Sequence, residues 1–129
     1  MAYKKGEVVK EQISNLFPVS KELADKEKMQ VDEFVVARII EVVDPIKRKV
    51  KFEVLDVSGT AALKGKFNEG DEVVSFVPST FMNAINNEIF PIGEERFITY
   101  KGTKKPEKAN AAGTRTPYHV FEFAEVVQG

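Results

Sequence analysis

The spacing of hydrophobic positions changes near residue 31. Before it, Val9, Ile13, Leu16 and Phe17 recur at three- and four-residue steps, which predicts a helical stretch ended by Pro18. Ser20 is placed to cap a second helical piece running to Met29, with Leu23 as its main apolar contact. Acidic and basic side chains are mixed through this region, so a solvated surface is expected rather than a core. Residues 1–31 therefore read as a partly helical N-terminal arm. Beyond it the pattern turns to β. Phe34 to Val43 is rich in Val and Ile on both faces, as in a strand curled into a small barrel and covered on each side. Asp44-Pro45 signals a turn that Ile46-Lys47-Arg48 completes. Val50, Phe52 and Val54 then alternate with Lys51 and Glu53, a strand with one wet face that Ser58-Gly59 ends.

Thr60 to Phe67 has no clear period. The turn Asn68-Glu69-Gly70-Asp71 leads into a third strand, Glu72 to Val77, which Pro78 stops. Ser79 or Thr80 can cap a helix carrying Phe81, Met82, Ile85 and Ile89, with Pro91 and Gly93 closing it. Glu95 to Lys101 is a fourth strand, 102–116 a polar loop, and Tyr118 to Val127 a fifth strand. There is no internal repeat. The predicted fold is mainly β: a five-stranded barrel over residues 32–129 with one helix between strands 3 and 4. That is the element order of the oligonucleotide- and oligosaccharide-binding (OB) fold.

The last hairpin concentrates positive charge. Its loop region holds Lys101, Lys104, Lys105, Lys108 and Arg115 against one acid, Glu107. The first inter-strand turn adds Lys47, Arg48 and Lys49, with Lys51 just inside the second strand. In OB-fold binders these two loops border the ligand cleft. Cations there can follow a phosphate backbone and release its counterions. Tyr100 and Tyr118 stand at the mouth of the hairpin, close enough to be cross-strand neighbours; each can stack a base or, alternatively, fix hairpin register. His119 is the only histidine. It can hydrogen-bond a base or phosphate, or simply sit half-exposed on its strand. Phe52, Phe76, Phe97, Phe121 and Phe123 have apolar neighbours and are expected in the core, and Phe81 is expected to plug the bottom of the barrel.

The segment Ile98-Thr99-Tyr100-Lys101-Gly102-Thr103-Lys104-Lys105 … Tyr118-His119-Val120-Phe121-Glu122-Phe123 resembles the last hairpin of the small single-stranded-DNA-binding proteins of bacteriophage type. Residues 32–127 as a whole resemble an OB barrel, and the likeness is one of pattern and loop composition. It implies a binding protein for single-stranded nucleic acid, DNA in particular, that supports replication or recombination and meets the enzymes of those processes. The acidic C-terminal tail of that family has no counterpart in Ala124-Glu125-Val126-Val127-Gln128-Gly129, so recruitment of partners through such a tail is not expected.

Composition narrows the alternatives. A chain of 129 residues fits one domain with a modest core and an arm. Net charge is only −1, so a nucleic-acid binder of this composition must segregate its charges, with the acids on the face away from the ligand. Cysteine is absent, which removes disulfides, thiol nucleophiles and cysteine-ligated metals. No apolar run approaches the roughly 20 residues of a membrane span, and the N-terminus lacks an apolar signal core, so no membrane partner and a cytoplasmic location are expected. One histidine without an acid cluster predicts no metal. Without a phosphate loop, a dinucleotide motif or a serine with an identifiable base, no cofactor and no enzymatic activity are expected. The alternative to nucleic-acid binding is a protein-interaction or assembly module, in which the arm docks onto a partner or a second copy to form a homo-oligomer.

Overall fold

The computed structural model describes residues 2–6, 13–20, 22–58, 65–105 and 117–127. It is mainly β. Among the described residues six strands form one mixed sheet: β1 (Ile13–Ser14), β2 (Phe34–Asp44), β3 (Lys49–Val57), β4 (Glu72–Phe76), β5 (Glu95–Lys104) and β6 (Tyr118–Ala124). The α-helix α1 (Ser79–Asn86) lies in sequence between β4 and β5, and a 3-10 turn spans Asp25–Glu27. The strands run in the order β1-β4-β3-β2-β5-β6. Among the described strands β1 and β4 pair parallel and the other pairs are antiparallel.

Alternation along the strands makes the core. Val35, Ala37 and Ile39 from β2 meet Val50, Phe52 and Val54 from β3, with Ile98 and Tyr100 from β5 and Phe121 from β6. Phe81 of α1 is a fully buried member of this cluster; its ring centroid lies 4.9 Å from that of Phe121 and 5.0 Å from that of Phe123. The sheet curls because its ladders are interrupted. Pairing of β2 with β3 shifts register at three places, and β5 with β6 shifts between Tyr100 and Thr103, where Gly102 takes a φ of 89°. Bulges of this kind bend a strand and increase its twist.

Several expectations change. Among the described residues of the second helical piece expected from Ser20 to Met29, only Asp25–Glu27 is helical, as a 3-10 turn. The five-stranded closed barrel is an open sheet of six strands: β1 takes the outer edge of β4, and among the described residues no ladder joins β1 or β4 to β6. The helix expected at Val9–Phe17 is absent where the segment is described: Ile13–Ser14 is a short strand and the chain from Asn15 to Phe17 is irregular. Ile13 and Ser14 pair with Val74 and Ser75, Leu16 N–H donates to Ser75 Oγ at 3.1 Å, and Leu16 and Phe17 enter the core instead of a solvated surface. Val9 lies outside the described residues. Neither Ser79 nor Thr80 caps α1. Pro78, extended at φ −61° and ψ 157°, is the capping residue, and Phe81 N–H donates to its carbonyl. The helix also stops at Asn86, before Ile89, because Glu88 takes a left-handed φ of 60°. Among the described residues no helix is long and apolar enough to cross a membrane.

Candidate nucleic-acid interface

The turn between β2 and β3 is built locally. Asp44 Oδ1 accepts hydrogen bonds from the backbone N–H groups of Ile46 at 3.0 Å and Lys47 at 3.1 Å. Arg48 takes a left-handed φ of 57°, and its carbonyl accepts from Val77 N–H at 2.9 Å. The turn is thereby tied to the end of β4, and Arg48 is directed to a groove of about 530 Å³. Ile13 of β1, Phe76 of β4, Ser79 of α1, and Tyr118 and His119 of β6 line the same groove. Counted along the ladders, Lys49 and Phe76 pair near the tip of the β2–β3 hairpin, whereas Tyr118 lies opposite Lys104, past the other end of β2. The curl of the sheet brings the two regions together.

Two exposed aromatic rings face this groove. Phe76 is 48% exposed and Tyr118 37%. The expectation that Phe76 lies in the core is therefore wrong. It shares its side of β4 with Glu72 and Val74, while Ser75 on the other side is fully buried. Its period-2 partnership with Glu72 was the available sequence signal. Lys49 Nζ sits 5.7 Å from the centroid of the Phe76 ring, so a cation and a flat apolar face are presented together. Phe97 also leaves the core and stacks on Phe34, with centroids 4.6 Å apart.

Tyr100 and Tyr118 are not cross-strand neighbours. The register sets Tyr100 opposite Phe121 and Tyr118 opposite Lys104. Tyr100 is buried, with its ring centroid 5.2 Å from that of Phe121, so its face is not open to a base. Burial raises its phenol above the ordinary value, which keeps the proton on the oxygen. That hydroxyl lies 2.9 Å from His119 Nδ1 and can donate to it. Tyr100 is thus a positioning residue: it holds one edge of a ring whose other parts line the groove.

The expected cations divide into two sets. Arg48 lines the groove, Lys47 and Lys49 flank it in sequence, and Lys104 stands opposite Tyr118 with Lys105 next to it. Lys51 and Lys101 stand apart. Lys51 Nζ is 3.6 Å from Glu72 Oε1, and Lys101 Nζ is 3.1 Å from Asp32 Oδ1. The hydrogen bond to Asp32, helped by its charge, raises the Lys101 ammonium above its usual value. Lys108 and Arg115 lie outside the described residues. The carboxylates of Glu53 and Glu95 grip Arg38 from β3 and β5, each at 2.6 Å. None of these three residues lines the groove.

The chain matches no protein-family model, no curated protein and no solved structure. The chemistry of the groove must therefore be read from its own residues. It offers flat rings, guanidinium and ammonium groups at its rim and one imidazole. Among the described residues no group of three or more acidic or histidine side chains could hold a metal ion. Such a surface can bind an extended polyanion that carries flat, apolar rings.

Proposed function

We propose that this protein binds single-stranded nucleic acid, DNA in particular, in the groove between the β2–β3 turn and the start of β6. The observation that carries the reading is the convergence of Arg48, Phe76 and Tyr118 on one groove. Stacking on exposed rings with cations along the backbone is how single strands are held with little regard to sequence. Strands β2 to β6 with α1 support an OB-type arrangement, a partly open barrel that binds along its second and third strands and the loops next to them. In that scheme the β2–β3 turn and the β5–β6 connection are the ligand loops. Lys47, Arg48, Lys49, Lys104 and Lys105 contact phosphates, with Lys108 and Arg115 from the connecting loop. Phe76 and Tyr118 stack bases, and His119 hydrogen-bonds a base or phosphate. Lys51 and Lys101 contribute less, since each already faces a carboxylate. The protein acts by equilibrium capture: it keeps a strand extended, prevents re-pairing and passes it to replication or recombination enzymes.

Assembly through the N-terminal arm is the weaker reading. Of the apolar residues that would dock, Val9, Ile13, Leu16 and Phe17, the last two are buried in the core of their own chain; Ile13 is exposed and Val9 lies outside the described residues. A fluorescence anisotropy titration with labelled oligothymidylate tests the proposal. Binding should weaken as salt rises, and the combined variant Lys47→Glu, Lys104→Glu, Lys105→Glu should bind poorly at any salt. Affinity indifferent to salt, or no binding at low salt, sinks the reading.

A further inference from the structure

The β2–β3 turn ends in a side chain that the fold does not use. Ile46 is 92% exposed; from β1 through β6 the next most exposed large hydrophobic described is Val31 at 58%. Isoleucine is a poor turn residue, because its β-branched side chain stabilises structure by packing on a pleated surface. Here the turn is ordered without it. Asp44 Oδ1 accepts from both Ile46 N–H and Lys47 N–H, Pro45 fixes its own φ, and Val77 N–H holds the Arg48 carbonyl. The isoleucine is held out into solvent on a braced tip. Two cations, Lys47 and Arg48, follow it directly, and Arg48 reaches the groove.

We propose that Ile46 is an apolar wedge that enters the base stack of the strand bound in the groove. It rests on the single-strand reading given above. Lys47 and Arg48 hold phosphates on the strand that the wedge parts, so the charges position the tip and the side chain opens one base step. A rigid tip suits this role, since little ordering is needed at the moment of insertion. The ligand class follows. Strands whose bases separate easily, pyrimidine runs above all, bind more tightly than strongly stacked purine runs.

The test uses the full chain and a short oligoadenylate in which one adenine at a time is replaced by fluorescent 2-aminopurine. Binding to the unchanged protein should brighten the probe at the step that the wedge opens. Ile46→Ala should abolish that brightening and weaken binding by about tenfold, while Ile46→Leu keeps both. The melting temperature of Ile46→Ala should match that of the unchanged protein, because the side chain packs on nothing that holds the turn. If Ile46→Ala binds and brightens the probe like the unchanged protein, the wedge is wrong and strand binding stands. If the unchanged protein binds no strand at low salt, both fall. Sedimentation with anionic phospholipid vesicles, lost in Ile46→Ala and accompanied by no strand binding, would instead mark the tip as a lipid-inserting element and overturn the proposal.

Discussion

At the scale of single residues, the two rings in the groove and the one beneath it behave differently. Phe76 and Tyr118 are open on one face, so Phe76→Ala and Tyr118→Ala should each weaken oligothymidylate binding by about 1–3 kcal/mol. Unfolding curves should move little for Tyr118→Ala, which separates lost contact from lost fold. Tyr100 is the opposite case. Replacing it with Phe removes the hydrogen bond to His119, a loss of about 1 kcal/mol. The pH dependence is specific. An unfolded tyrosine releases its proton near pH 10, whereas the buried Tyr100 keeps it to higher pH. Its contribution is therefore complete below pH 10 and is lost as pH rises through the folded value. Urea midpoints measured from pH 9 to 11.5 should fall more steeply for the unchanged protein than for Tyr100→Phe. Equal slopes would rule out this origin.

Among the elements, β1 departs most from its sequence pattern. Two residues of strand are a slight structure, yet they precede Leu16 and Phe17, which are fully or nearly fully buried. Phe17 meets Phe81 at 4.4 Å and Phe52 at 5.5 Å between ring centroids. Phe17→Ala should destabilise the fold by about 3–5 kcal/mol, as aromatic truncations in cores do. Tyr3→Ala, at a position 96% exposed, should stay within about 0.5 kcal/mol. Denaturant titration of the two variants distinguishes a core segment from a surface arm; equal midpoints would return the segment to the surface. The helical spacing misleads here because Ile13, 40% exposed, does not share a buried face with Leu16 and Phe17. The long strands were legible for a contrary reason. In β3, Val50, Phe52 and Val54 alternate with polar neighbours over enough residues for one period to dominate.

For the whole molecule, near-neutral net charge and polyanion binding are compatible because the charges are used in different places. Lys51, Lys101 and Arg38 face carboxylates, while no ion pair among the described residues involves Lys47, Arg48, Lys104 or Lys105. If those four and the other three cations assigned to phosphates above, Lys49, Lys108 and Arg115, all make contact, the logarithm of affinity should fall with the logarithm of salt with a slope of roughly −5 for a single strand. Each lysine removed should reduce the magnitude by about 0.7. A slope near zero in the same anisotropy titrations would contradict the assignment.

The sequence by itself determined the strand and helix order from residue 34 onward, the inward face of β3 and the turns at Asp44 and Asn68. These follow from local periodicity, proline and glycine geometry and short-range side-chain bonds such as those of Asp44. Tertiary structure alone decided which residues share the groove. Arg48, Phe76 and Tyr118 are separated by 28 and 42 positions in the chain, and ladder register alone places them apart. Bulges in β2, β3 and β5 curl the sheet until they meet. A bulge depends on two strands at once; of these only the one at Gly102 carries a local signal, a glycine inside a strand, and the shifts between β2 and β3 carry none.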